Sequence, residues 1–372
     1  MKVVISAAGT GGHINPGIAI ANKIKEKEPM SKIIFIGTKN GLETDLVPRA
    51  GYELKTIEAY GLGKKITLQN IKGIIKTING IGQAKKILKE FNPDVVIGTG
   101  GYICGPVFLA ARKLKIPTVL HESNAFPGLA VKTLSKKANL TLVGFKEAKE
   151  RLPKAKKVIV TGTPTKIRRL KLSAEDKLKI KKELNLNPDL KTVLIFGGSQ
   201  GAMAINKATL DLIIENPNLE FQIMWAPGPK QYEIIQEELN KKGVDINKIK
   251  NVRVVPYIYN MEEALNICDL VVSRSGAMTI TEIAKVAKPA IFIPLPNVSQ
   301  NHQEYNAKVL VNVGAAQIIL NDELNSKILS AKIKEMMKDK AKLLEIGEKA
   351  NTVSIDNVEE KIYEAIKKNI NL

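Results

Sequence analysis

Short apolar runs, glycine-rich loops and amphipathic stretches follow one another along the whole chain. Residues 2–6 are mostly apolar and of strand length, 7–15 are rich in glycine, and 16–28 repeat apolar positions at helical spacing behind a proline suited to a first helical turn. The same order returns at 33–36 before Gly37 and Thr38, at 95–97 before GTGGY, and at 118–121 before ESNAFPG. Strands of this kind alternating with helices predict a parallel sheet covered on both faces.

A second run of the same grammar begins after Thr161-Gly162-Thr163-Pro164. Residues 193–196 lead into GGSQGA and a helix, and 221–225 and 252–254 read as strands. The stretch 271–307 then gives a strand, a Ser-Arg-Ser-Gly turn, a helix carrying Glu282, a second strand and a polar loop entering another helix. The expected fold is α/β, with two Rossmann-like, doubly wound domains joined near 162–172, a division that 372 residues suit. Ligands of such sheets collect at the carboxyl edge, where helix N-termini offer N–H groups to phosphate, and the cleft between the domains is the expected binding place.

Composition narrows the partners. A net charge of +20 calls for an anionic one: nucleic acid, an acidic membrane face or a phosphorylated substrate. Aromatic residues are only 5% and do not interleave with basic ones, so no nucleic-acid partner is expected, and a solvated lysine surface accounts for part of the charge. Cys104 and Cys268 lack metal or CxxC spacing and read as packing residues of a reducing compartment. The first strand follows Met1 directly, without the pattern of a secretory leader, and the apolar run 95–111 is broken by glycines and Pro106, unlike a membrane span.

Gly9-Thr10-Gly11-Gly12-His13 lacks the GxGxxG spacing of a dinucleotide fingerprint, and Ile36-Gly37-Thr38-Lys39 stands where that motif's acidic residue would close the second strand. A dehydrogenase is disfavoured. His13, His121 and His302, all the histidines of the chain, are expected in carboxyl-edge loops, where His13 is either a structural cap or a general base for a hydroxyl. GGSQGA reads as a phosphate nest or a tight turn, and Glu282, expected in a helix's first turn, as a ligand for a diol or a dipole partner. From Lys64 to Lys89, Ile71, Ile74, Ile75 and Ile78 recur at helical spacing among lysines, with Gly73, Gly80 and Gly82 expected to loosen the helix. This is either a core stripe or an apolar patch for an anionic membrane surface. No metal or cofactor motif is present, so neither is expected.

Together GTGGH, GTGGY, HESNAFPG, GGSQGA and SRSGAMTITEI resemble glycosyltransferase family 28, and its peptidoglycan branch most closely, over the whole chain. The resemblance implies a GT-B fold, with 1–162 facing acceptor and membrane, 163–352 binding the donor, and the last helix within 353–372 returning to the first domain. It implies inverting transfer of N-acetylglucosamine from UDP-N-acetylglucosamine to the 4-hydroxyl of N-acetylmuramic acid in lipid I (undecaprenyl-diphospho-muramoyl-pentapeptide). The product would be lipid II for peptidoglycan synthesis, made by a peripheral protein on the cytoplasmic face of the cell membrane.

By the same resemblance His13 is the base, Thr10, Gly11 and Gly12 belong to the acceptor loop, Tyr102 lines the acceptor pocket and Asn124 touches the transferred sugar. Ser199 and the N–H groups of Ala277, Met278 and Thr279 meet the donor diphosphate, Ile258 packs on uracil, Glu282 accepts from the ribose, and His302 and Gln303 read the donor sugar. Ala8 stands where the family commonly has glycine. Lys166 stands where it usually has arginine, keeping the charge for a diphosphate but not the bidentate fork. Two other readings stay open: a related UDP-sugar transferase with a diacylglycerol acceptor, and a UDP-sugar-binding scaffold without turnover.

Overall fold

The computed structural model describes the chain apart from residues 61–67, 199, 242, 245–248, 250 and 371–372, with the backbone alone at 68–76 and 299. It divides into two compact units, Met1–Thr165 with Ile355–Leu372, and Lys166–Ser354. Among the described residues no helix is long and apolar enough to cross a membrane.

The first unit is a parallel sheet of β1 (Lys2–Ser6), β2 (Lys32–Gly37), β3 (Glu53–Thr56), β4 (Val95–Gly98), β5 (Thr118–Glu122), β6 (Leu140–Val143) and β7 (Val158–Val160), in the order β3-β2-β1-β4-β5-β6-β7. Side chains alternate between its faces. Val3, Ile5 and Ile97 enter one apolar cluster, Val4 and Val96 the other, which explains why the middles of β1 and β4 read as unbroken apolar runs rather than alternating ones. The strand order reverses between β1 and β4.

The second unit repeats the plan with β8 (Thr192–Phe196), β9 (Gln222–Ala226), β10 (Val252–Val254), β11 (Leu270–Ser273), β12 (Ala290–Phe292) and β13 (Ala316–Ile318), in the order β10-β9-β8-β11-β12-β13. These strands too are parallel. The reversal here lies between β8 and β11. Trp225 is fully buried, and its indole N–H is satisfied by Asn206 Oδ1 at 3.1 Å.

Three expectations are corrected. The first helix runs Gly11–Lys27, five residues earlier than the glycines and Pro16 suggest. The Thr10 carbonyl starts it by accepting from His13 and Ile14 N–H at 3.0 and 3.2 Å, so Gly11, Gly12 and His13 lie in its first turn and Pro16 in its second. Gly17 explains the proximity: a Cβ there would meet Ile5, Phe35 and Thr99 at 3.2–3.3 Å, and this contact favours helix where local propensity does not. His121 is not in a loop but in β5, completely buried. Gly80 does not loosen its helix, Leu68–Phe91, but lets it approach: a Cβ there would lie 1.8 Å from the Glu58 carbonyl oxygen.

The closing helix, Val358–Ile370, packs against Gly11–Lys27 and buries Val358, Ile362, Ala365, Ile366 and Ile370 in the first unit. Gly162 (φ 87°) makes room, since a Cβ there would meet Val358 at 2.8 Å and Ile355 at 3.1 Å. Glu28 fastens it by accepting from Tyr363 Oη at 2.9 Å, Lys367 Nζ at 3.0 Å and the Met1 ammonium at 3.0 Å. Partial burial opposes the charge of Glu28, but Lys367, the ammonium and Tyr363 outweigh it and lower its pKa to about 2.

Because this pKa lies below the ordinary 4.5, the clamp contributes fully above pH 4.5 and is lost as pH falls toward 2. Glu28→Gln is expected to destabilise the first unit by about 1–2 kcal/mol at neutral pH, after solvent screening, and to flatten its stability between pH 4.5 and 2. Amide protection factors in helix Val358–Ile370 check this; unchanged protection in the variant refutes the clamp.

Candidate active site

In an open parallel sheet the two helix entrances diverge where strand order reverses, leaving a crevice at the carboxyl edge. In the first unit the loops after β1 and β4 flank that crevice. His13 lies there, half-buried, with Nδ1 3.2 Å from the Ala8 carbonyl oxygen. A carbonyl only accepts, so in the neutral ring Nδ1 carries the proton and Nε2 keeps its lone pair. The ring lies on Gly100, where a Cβ would come within 2.6 Å of Cδ2 and 2.9 Å of Nε2, and Thr99 Oγ1 donates to the His13 carbonyl at 2.7 Å. Tyr102, 41% exposed, follows in the same loop. Thr10, Gly11, Gly12, His13 and Tyr102 are thus brought together.

What shapes the first loop is a residue the sequence reading passed over. Glu43 is fully buried; Oε1 accepts from Thr38 N–H at 2.8 Å and Thr38 Oγ1 at 2.6 Å, and Oε2 from Gly9 N–H at 3.1 Å. One carboxylate therefore joins the loops after β1 and β2. Burial raises its pKa, but the Thr38 and Gly9 donors prevail and hold it below the ordinary value. Gly37 and Gly41 are its signature in the sequence, because a Cβ at either would strike the Glu43 side chain at 2.6 and 2.1 Å.

Glu122 does the same for the loop after β5. Its Oε1 accepts from Asn124 N–H and Nδ2, both at 2.9 Å, and its Oε2 from Gly128 N–H at 2.9 Å, which sets the orientation of Asn124. His121 beneath it bonds the Gly162 carbonyl through Nε2 at 3.1 Å, and burial pulls its pKa down to about 4, so it is a neutral core residue.

In the second unit the loops after β8 and β11 flank the reversal. Gly201 (φ 77°) allows the first to pass the Pro227 carbonyl, which a Cβ would meet at 2.0 Å; Ser199 lies outside the described residues. After β11, Gly276 caps helix Ala277–Lys285, so the half-buried Ala277, Met278 and Thr279 form its first turn, with their N–H groups at its positive end. Glu282 lies in the second turn, not the first, one turn along from Met278 and Thr279.

Buried Arg274, also passed over, donates Nη1 to the Ile293 and Pro294 carbonyls at 3.0 and 3.2 Å, and Asn306 Nδ2 donates to the Ser275 carbonyl at 3.2 Å. These bonds join the loop after β11 to the one after β12 and to helix His302–Val311, which His302 and Gln303 begin. Gln303 Oε1 accepts from Leu295 N–H at 2.9 Å, which turns its amide nitrogen away from that backbone. Asn297, Gln300 and Asn301 all have φ of 53–59°, a cluster of left-handed backbone at the helix entrance.

Two expected residues stand apart. Ile258 follows β10 at the sheet edge and is only 5% exposed, while the aromatic surface beside it is Tyr257 and Tyr259, edge to face at 5.2 Å. Lys166 is exposed at the start of the second unit, where Arg168 and Arg169 are committed to Glu262 and Glu348. Of the stripe Ile71, Ile74, Ile75 and Ile78, the first three side chains lie outside the described residues, and Ile78 is 60% exposed. No described cluster of three or more His, Cys, Asp or Glu side chains could hold a metal.

Two doubly wound parallel sheets, each with glycine-bearing loops at its reversal, make this a protein of the GT-B fold class. The glycosyltransferase family 28 N-terminal domain matches residues 3–143 and the C-terminal domain of the same family 192–367. A protein of Acetivibrio thermocellus named UDP-N-acetylglucosamine–N-acetylmuramyl-(pentapeptide) pyrophosphoryl-undecaprenol N-acetylglucosamine transferase is 42% identical over 99% of this chain and 98% of its own. A Bacillus thuringiensis protein with that name and the suffix 2 is 40% identical over 99% of both chains. The crystal structure of Acinetobacter baumannii MurG superposes with a TM-score of 0.78, at 29% identity over 99% of each chain. The chain belongs to glycosyltransferase family 28.

Removing the carboxylate of Glu43 strands the buried Thr38 donors and frees the N–H of exposed Gly9. Glu43→Ala is expected to cost about 2–4 kcal/mol and Glu43→Gln less, since an amide oxygen still accepts from Thr38. Denaturant titration checks this; an alanine cost below about 0.5 kcal/mol would mean water replaces the carboxylate.

Proposed function

We propose that the chain transfers N-acetylglucosamine from UDP-N-acetylglucosamine to the 4-hydroxyl of N-acetylmuramic acid in undecaprenyl-diphospho-muramoyl-pentapeptide, with inversion, to give lipid II and UDP. The observation that carries the reading is the His13 ring, whose Nδ1 contact with Ala8 leaves Nε2 as a base at the first unit's strand reversal. Nε2 takes the proton of the acceptor hydroxyl as its oxygen attacks the anomeric carbon. The bond from that carbon to the phosphate oxygen breaks, and UDP leaves with the electron pair.

The first unit is the acceptor side, with Thr10, Gly11, Gly12, Tyr102 and Asn124 around His13. The second is the donor side. There the N–H groups of Ala277, Met278 and Thr279, with Ser199 and Lys166, stabilise the diphosphate, Glu282 accepts from the ribose, Ile258 lies by the uracil, and His302 and Gln303 bind the sugar. Helix-end N–H groups aimed at the leaving diphosphate favour the charge that develops on it. The names of the full-length relatives support this acceptor over diacylglycerol.

A general base contributes about 10²- to 10⁴-fold. His13→Ala is therefore expected to lower kcat by about that factor while leaving UDP-N-acetylglucosamine affinity unchanged. The assay follows labelled N-acetylglucosamine onto a lipid I analogue, with diacylglycerol as the competing acceptor. Transfer to diacylglycerol alone overturns the acceptor; near-normal kcat in the variant overturns the base.

The enzyme works as a peripheral protein on the cytoplasmic face of the membrane. Support comes from the +20 charge and from exposed Leu109 and Ile78 on neighbouring helices, with Phe108, Leu109 and Leu134 lining a cavity of about 110 Å³ beside Arg112 and Lys137. Replacing Ile78 and Leu109 by serine is expected to reduce sedimentation with phosphatidylglycerol vesicles several-fold at unchanged thermal midpoint, since both are exposed. Equal sedimentation of the variant and the parent excludes this patch.

A further inference from the structure

A second cavity, of about 460 Å³, opens at the carboxyl edge of the first unit, lined among others by Thr38, Lys39, Asn40, Glu58, Tyr60 and Tyr102. Two features place it beside the loops that hold His13. Thr38 shares the Glu43 carboxylate with Gly9, and Tyr102 follows Gly101, where a Cβ would stand 3.5 Å from His13 Nδ1. The cavity therefore continues the loop cluster around the candidate base.

Its wall is built, not incidental. Ile57 N–H donates to the Gly37 carbonyl at 3.0 Å, Glu58 N–H to Gln83 Oε1 at 2.7 Å and Tyr60 N–H to Thr77 Oγ1 at 3.3 Å. Gly80 admits the Glu58 carbonyl so closely that no side chain would fit. With these backbone donors engaged, recognition falls to the side chains of Lys39, Asn40, Glu58, Tyr60 and Tyr102. They supply a cation, an anion, an amide and two partly exposed phenols. A carboxylate in the lining disfavours a diphosphate, and a neutral sugar has no use for two opposite charges. A short peptide bearing carboxylate, amide and ammonium groups matches the whole set, and the volume falls within the range of ligand pockets. The relatives' names place a pentapeptide on the muramyl group of their acceptor.

We infer that this cavity binds the peptide of the acceptor, with Lys39 pairing a peptide carboxylate and Glu58 a cationic or N–H group. The inference rests on the function proposed above. It assigns to 38–41 and 57–60 the part of acceptor recognition that lies away from the reacting hydroxyl.

The test uses the full-length protein and two lipid I analogues, one with the pentapeptide and one with the lactyl group capped as a simple amide. Lys39→Ala is expected to raise KM for the pentapeptide acceptor about tenfold with kcat within twofold, to leave KM for the capped acceptor unchanged, and to be rescued by Lys39→Arg. A photoreactive group on the third peptide residue is expected to label 38–41, 57–60 or Tyr102. Labelling elsewhere, or an equal effect of Lys39→Ala on both acceptors, overturns the peptide site while transfer by the parent protein still stands. Absence of transfer to either analogue by the parent protein overturns the function and the site with it.

Discussion

The reversal of strand order is the constraint on which both units depend. Parallel strands need crossover helices, and where successive crossovers go opposite ways the two adjoining loops cannot fill the space between them. The chain meets this opening with backbone and very small residues. Gly100 lies against the His13 ring in one unit, and Gly201 passes a carbonyl in the other. Even one methyl group at these places would push the walls apart, so each crevice keeps its shape only while the glycines remain.

Loops of this kind have N–H groups that no ladder satisfies, and buried donors left unpaired are costly. In the first unit two carboxylates supply the acceptors. Glu43 joins the loops after β1 and β2, and Glu122 folds the loop after β5 around its own oxygens. Each offsets the cost of a buried charge with two bonds from backbone N–H groups and one from a side chain, which stiffens the loop and fixes the side chains it carries. The second unit uses Arg274 and Asn306 as donors to loop carbonyls for the same purpose. Opposite chemistries thus perform one task, and both leave the helix entrances open toward solvent.

The closing helix shows how charge helps decide connectivity. Apolar burial of Ile362 and Ile366 supplies the bulk of the attachment, but apolar contact is not directional. Glu28, with Tyr363, Lys367 and the amino terminus around it, adds a bond pattern that only one register satisfies.

The amino-acid sequence by itself determined the class of the fold, because strands buried on both faces are apolar at most positions and glycine marks the strand-to-helix passages where backbone must come close. It also pointed to His13, in the glycine-rich loop after the first strand-like run, and to the Ser-Arg-Ser-Gly turn before Ala277, while Asn124 and Gln303 were indicated only by resemblance to the family. Tertiary structure decided what local pattern could not carry. The first helix begins at Gly11 because Gly17 and Gly100 let it pack against β1, β2 and the loop after β4, a gain that no window of sequence contains. His121, at the end of its strand-like run, was expected at the carboxyl edge and is instead a neutral side chain within the sheet, because β5 extends to Glu122. Glu43 belongs to no motif and was not singled out in the sequence. Only the approach of Thr38 and Gly9, five and thirty-four residues away, makes it a buried acceptor, since a carboxylate's role follows from the donors around it and those are brought together by the sheet.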